Sequence, residues 1–201
     1  MTCRESRELR QRASSEHFFV NTGNCGRIWL DRERAMKRTD RFVGYSGETA
    51  NELFSYPPKD QEVSLVQAFR EGIQRKAARK GKRAVSHEEQ TVLAVTALDQ
   101  EVNNGGYDQF LRNSSRVFAP IVVESLLRVG CKRRARITER ALEALRLPTL
   151  TVRKIDAVMR NESTERDQEL ERCDQMFYKA RRSLAKQLYT FLLTNRTRIN
   201  F

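Results

Sequence analysis

The run Asn103-Asn104-Gly105-Gly106 sits between two apolar segments with helical spacing, and it constrains the fold more than any other feature. Gly and Asn tolerate the left-handed backbone at which helices end. Upstream, Val92, Val95, Leu98 and Val102 form one stripe. Downstream, Tyr107, Phe110 and Leu111 resume one-face spacing, and Asn113, Ser114 and Ser115 follow with side chains suited to capping backbone groups. A chain with this pattern must build a corner between helices and pack an aromatic pair directly after it.

The remaining periodicity is helical as well. Val66, Phe69, Ile73 and Ala77 mark one face before Gly81. Ser86 and Glu89 have the spacing of a capping box and announce the helix that leads into the Asn-Gly run. Ala119-Pro120 predicts the start of a further helix, with Gly130 as its stop. Ile137, Ala141 and Leu145 lie on the next helix, ended by Leu147-Pro148, and Val152, Ile155 and Met159 on a shorter one. Leu170, Cys173 and Phe177, then Leu184, Leu188 and Phe191, supply the last two. No useful stretch alternates at period two. The expectation is an all-α, single-domain array of about seven or eight helices with short connections. Tyr107, Phe110, Leu126, Phe177 and Leu188 are expected to share its core.

Residues 1–56 read differently. Arg and Glu alternate with few apolar anchors, and Phe18-Phe19-Val20 and Ile28-Trp29-Leu30 are isolated runs. This composition predicts a weakly ordered extension, with the domain occupying residues 57–201 after Pro57-Pro58.

Charge restricts the partners. The chain of 201 residues carries a net charge of +12. Residues 61–84 have seven Lys/Arg against two Asp/Glu, residues 131–160 have nine against three, and residues 85–130 have three against six. Arg75, Arg79, Lys82 and Arg83 in the first basic block, and Lys132, Arg136 and Arg140 in the second, are the candidate polyanion contacts. Arg75 and Arg79 point away from the Val66 stripe. Lys132, Arg136 and Arg140 stack at i, i+4 and i+8, where like charges oppose helix formation. No aromatic residue interleaves with them, so single-strand stacking is unsupported.

Catalytic and metal chemistry find little footing. Cys3, Cys25, Cys131 and Cys173 lack paired metal spacing, and His17 and His87 do not complete a zinc site. Cys131, beside Lys132, Arg133 and Arg134 near a helix start, is the strongest candidate for a reactive thiol, but a small residue at a helix junction explains it more simply. We expect no cofactor, no metal, no catalytic residue and no enzyme activity. No apolar run reaches membrane-spanning length, and the charged N-terminus does not resemble an export signal. A reduced, cytoplasmic protein is expected.

The stretch Asn103-Asn104-Gly105-Gly106-Tyr107-Asp108-Gln109-Phe110, running into Asn113-Ser114-Ser115, resembles the signature of the DNA-mimic protein family. Cys173-Asp174-Gln175-Met176-Phe177-Tyr178 is similar to that family's C-terminal segment, and the resemblance covers roughly residues 62–201. It implies a helical, non-catalytic module that binds another protein and modulates it. The signature is then either a partner-binding pocket or a structural corner. The paired glycines and the helical aromatic pair favour the corner, with Gln109 the member best placed to face a ligand. Family members imitate DNA with acidic surfaces, whereas this chain is basic, so charge mimicry is in doubt. The expected partner is a protein with an acidic face. Non-specific binding of nucleic acid through its phosphates is the alternative, and homodimerisation remains open.

Overall fold

The computed structural model describes residues 41–180 and 183–201. The described residues fall within one compact unit, Asp40–Phe201. Eight α-helices occur among them, and no strand. They are α1 (Ala50–Leu53), α2 (Glu62–Lys80), α3 (His87–Arg112), α4 (Val122–Arg128), α5 (Lys132–Glu143), α6 (Val152–Met159), α7 (Thr164–Tyr178) and α8 (Leu184–Thr194). Short 3₁₀ turns occupy Lys82–Ala84, Ser114–Phe118 and Arg196–Arg198.

The expected all-α array is present, with α3 at its centre. This helix packs against α2, α4, α6 and α7, while α5 lies on α4 and α7, and α8 lies on α2. Its start is the Ser86–Glu89 capping box: Ser86 Oγ accepts the Glu89 N–H at 3.1 Å, and the Glu89 carboxylate accepts the Ser86 N–H at 2.8 Å. Glu89 has a second role that its position in the box conceals. It is fully buried, pairs with Lys76 Nζ at 2.8 Å and accepts the Asn200 N–H at 2.9 Å. Lys76 also donates to the Asn200 carbonyl at 2.7 Å. The ion pair thus ties α2, α3 and the C-terminal segment together, and all its charge is matched inside the fold, as a buried pair requires.

Tyr107, Phe110, Leu126, Phe177 and Leu188 are all buried in one core. The expected boundary at residue 57 needs correction. Phe42, Ala50, Leu53 and Phe54 belong to the same core, and Phe42 and Tyr56 meet edge to face at 5.2 Å between centroids. The apolar density of 41–56 is low, but each of its large apolar residues except Val43 is used. A capping box at Thr49 and Glu52 initiates α1 within that span. Phe18-Phe19-Val20, Ile28-Trp29-Leu30, His17, Cys3 and Cys25 lie outside the described residues.

One further helix limit differs from expectation. The segment Ser114–Phe118 forms a 3₁₀ turn, and α4 begins at Val122 rather than at Ala119-Pro120. Pro120 falls in a turn in which the Ile121 N–H bonds the Phe118 carbonyl at 3.0 Å. At the other end Gly130 stops α4 as expected, with φ of 83°. The Cys131 N–H reaches the Leu126 carbonyl at 2.8 Å and the Gly130 N–H the Leu127 carbonyl at 2.9 Å, the two bonds of a Schellman stop.

Candidate functional site

The Asn-Gly run interrupts α3 as expected, so that two helical segments meet across a kink at Gly105-Gly106. Gly105 is extended, with φ of −162°, and Gly106 has φ of 77° and ψ of −175°, a backbone state open essentially to glycine alone. The helix resumes at Tyr107. A break leaves carbonyls unpaired before it and N–H groups unpaired after it. Both are met from α7. The Asp174 carboxylate accepts the Tyr107 N–H at 2.8 Å, and Tyr178 Oη donates to the Val102 carbonyl at 2.6 Å. Asp174 and Tyr178 are one helical turn apart, so a single face of α7 serves both sides of the break.

The fit is close. A Cβ on Gly106 would lie 2.2 Å from the Asp174 carboxylate. Tyr107, fully buried, meets the Phe177 ring edge to face at 6.0 Å and shares a hydrogen bond of 2.7 Å with Thr138 Oγ1 on α5. Burial raises the Tyr107 phenol above its ordinary value, so it stays neutral. Burial likewise raises Asp174, against the lowering effect of its bond to the Tyr107 N–H. The two sequence segments that carry the resemblance, residues 103–115 and 173–178, therefore meet as one clamp.

A second knot uses the rest of the signature. Glu101, which sequence reasoning passed over, gathers three of its members. Its carboxylate accepts from Gln109 Nε2 at 2.7 Å, Asn113 Nδ2 at 2.8 Å and Ser115 Oγ at 2.7 Å. Partial burial works to raise the Glu101 carboxyl, but these three bonds and the charge of Arg70 hold it below the usual carboxylate range. The signal was available: Glu101 lies two residues before the run, eight before Gln109 and fourteen before Ser115. Only the break brings those distances within reach.

Gln109 is thus turned to Glu101 rather than left for a ligand. Asp108 pairs with Arg112 at 2.8 Å, and Arg112 donates to the Met159 carbonyl at 2.6 Å. Asn103 Nδ2 bonds back to the Asp99 carbonyl at 2.7 Å. Asn104 and Ser114 are exposed. Asn103 and Asn104 line one end of a cleft of about 450 Å³ between α2, α3 and α8, together with Arg70 and Asp99.

The basic candidates do not form one site. Arg75 covers the Tyr45 ring at 4.7 Å. Arg79, Lys82 and Arg83 are exposed around the end of α2. Arg140 engages Glu169 on α7, which also holds Arg172 at 3.0 Å, and Arg146 holds Glu165 at 2.7 Å. Lys132, Arg133 and Arg136 at the start of α5 are exposed, with no side-chain hydrogen bond or ion pair among the described residues.

Cys131 is buried, and its Sγ donates to Gln187 Oε1 at 3.0 Å. The buried Cys173 thiol is pushed up to about 11 by burial, which keeps it protonated and unreactive. His87 is exposed beside Glu124. Among the described residues no group of three His, Cys, Asp or Glu side chains is placed to hold a metal, and no helix is long and apolar enough to cross a membrane.

An all-α array organised around a broken central helix, with the break clamped by a later helix, defines the class of fold. A family model described as DMP19-like protein matches residues 83–195, and the chain belongs to that family, as a DNA-mimic-like protein. The match includes the Asn-Gly run, Glu101 and the Asp174–Tyr178 clamp. No curated protein and no solved structure matches the chain.

Proposed function

We propose that this protein is a non-catalytic helical interaction module that binds an acidic face of another protein and thereby modulates it. The observation that carries this reading is the pairing of surface charge. The acids Glu165 and Glu169 on α7 are engaged by Arg146, Arg140 and Arg172, whereas Lys132, Arg133 and Arg136 on α5 present unpaired positive charge to solvent. Imitation of a phosphate backbone needs the opposite arrangement. Opposed potentials steer association and reject partners of like charge. The signature residues serve this module as its frame, since Gln109, Asn113 and Ser115 spend their hydrogen bonds on Glu101.

A second reading rests on the exposed group Arg79, Lys82 and Arg83: direct, non-specific contact with nucleic-acid phosphates, weakening steeply as salt rises. Affinity capture with the full chain, performed with and without nuclease, separates the two. A protein retained stoichiometrically after nuclease treatment is the expected result. Loss of all captured protein with nuclease supports the second reading instead. Displacement of a labelled operator from a transcription factor, without binding of this protein to the DNA, would overturn both and restore mimicry.

A further inference from the structure

Where α4 hands over to α5, two adjoining clefts of about 750 and 450 Å³ share Gly130 and Gln187 and run together along α8. Five cations line the combined groove: Arg128, Lys132, Arg133, Arg134 and Lys186. Among the described residues no Asp or Glu lines either part. The cations are not equivalent. Arg128 is held from behind by Glu88 at 3.2 Å, and the Arg134 guanidinium lies over the Phe177 ring at 5.0 Å. The side chains of Lys132, Arg133 and Lys186 are not tied by any hydrogen bond or ion pair among the described residues.

Gln187 pins the floor. Gln187 donates to the Gly130 carbonyl at 3.1 Å and accepts from Cys131 Sγ at 3.0 Å, so it crosslinks α8 to the α4–α5 junction. Thr190 and Asn195 continue the polar lining towards the end of α8. Thr190 Oγ1 is committed to the Lys186 carbonyl at 2.9 Å, and Asn195 Nδ2 to the Phe191 carbonyl at 2.8 Å.

We propose that this groove is the docking site for an extended, Asp/Glu-rich segment of a protein partner. The inference rests on the protein-interaction reading above and names the surface and the chemistry of what it takes. Three features select this occupant. The charge is uniformly positive, which disfavours a neutral or basic segment. The apolar lining residues Val129 and Phe191 are 7% and 8% exposed, too little to anchor the apolar face of an amphipathic helix. Among the described residues no exposed aromatic ring lines the groove, so a single nucleic-acid strand would lack a stacking platform there.

The test uses the full chain and a fluorescent ten-residue peptide of alternating Asp and Glu, titrated at physiological salt. The variant Lys132→Glu, Arg133→Glu, Lys186→Glu should weaken binding about tenfold or more, with an unchanged melting temperature, because all three side chains are exposed or half-exposed. The neutral variant Lys132→Gln, Arg133→Gln, Lys186→Gln should fall between it and the parent. Reversal of Arg79, Lys82 and Arg83 should leave the affinity within about twofold. Equal weakening by both reversals would mean delocalised attraction and would overturn the proposal, as would tighter binding of a labelled single-stranded or duplex oligonucleotide that the groove reversal abolishes. The affinity capture distinguishes the levels. If the groove variant retains the nuclease-resistant partner of the parent, the groove assignment fails while the interaction module stands. If the parent retains no such partner, the module itself fails.

Discussion

Polar side chains near the α3 break and polar side chains along the start of α5 are spent in opposite ways. At the break, Asp174, Tyr178 and Glu101 each answer a particular group: an N–H, a carbonyl, and the amides and hydroxyl of Gln109, Asn113 and Ser115. On α5, Lys132, Arg133 and Arg136 answer nothing within the described chain. A buried polar group left unsatisfied is costly, so a helix broken in the core must recruit partners. An exposed cation is solvated already and costs the fold little. The contrast separates residues that make the structure from residues available to something outside it. It also shows why a polar cluster in a sequence is poor evidence of a binding pocket until its internal partners are known.

The sharpest way to break this contrast is to attack the packing that the clamp holds. Phe177 is buried and meets the Tyr107 ring in a T-shaped contact. Phe177→Ala should cost about 3–5 kcal/mol, measured by denaturant unfolding. That is a large share of a domain's stability, and Phe110→Ala should behave alike. A cooperatively folded Phe177→Ala with the parent's midpoint would sink the assignment of α7 as the clamp.

Next in size is an asymmetry between the two glycines. Gly106→Ala meets a forbidden backbone state and the Asp174 carboxylate together, and should lose about 1–3 kcal/mol from the backbone alone. Gly105 is extended, and a Cβ there meets the Gln109 side chain, 2.2 Å away, without a forbidden backbone state, so Gly105→Ala should cost less. Comparable losses at both positions would show that the break has no single glycine-only residue.

A smaller effect should appear as pH dependence. The folded Glu101 carboxyl lies below its usual value of 4.5. Its contribution is then complete above the unfolded value and is lost as pH falls through the lower folded value. Glu101→Gln should therefore flatten the acid limb of the stability curve below about pH 4.5, where the parent's stability still changes. Parallel curves for parent and variant would leave the Glu101 knot without energetic weight.

The smallest change in stability is expected on the other side of the comparison. Lys132→Glu with Arg136→Glu should stay within about 0.5 kcal/mol of the parent by thermal melting, because both are exposed and unpaired. Arg140→Glu should be worse than either, since it sets like charges together at Glu169. If the Lys132 and Arg136 reversals destabilise as much as Arg140→Glu, the division between framework and available charge does not hold on α5.

Much of the fold could be read directly. The stripes at Val66–Ala77, Val92–Val102 and Leu184–Phe191 each correspond to a helix, because a 3.6-residue repeat of apolar side chains needs only local geometry to express itself. The Ser86–Glu89 box and the Gly130 stop were legible for the same reason: both are settled within six residues of chain. The candidate site was legible in its residue types but not in its roles. Gln109 suits a ligand by residue type, but Glu101 holds it, and no local signal shows that Lys76 pairs with Glu89.

The sequence by itself determined an all-α chain with a mandatory interruption at Gly105-Gly106, an aromatic pair behind it and a positive surface. Those follow from backbone freedom, apolar period and side-chain charge, which every residue carries with it. Only the tertiary structure decided that Asp174 and Tyr178 cap the two sides of the interruption from 67 and 76 residues away, and that residues 41–56 join the core. It also decided which cations face inward acids and which face water. Caps across such separations depend on how helices pack, and packing is a property of the assembled core rather than of any local run of residues.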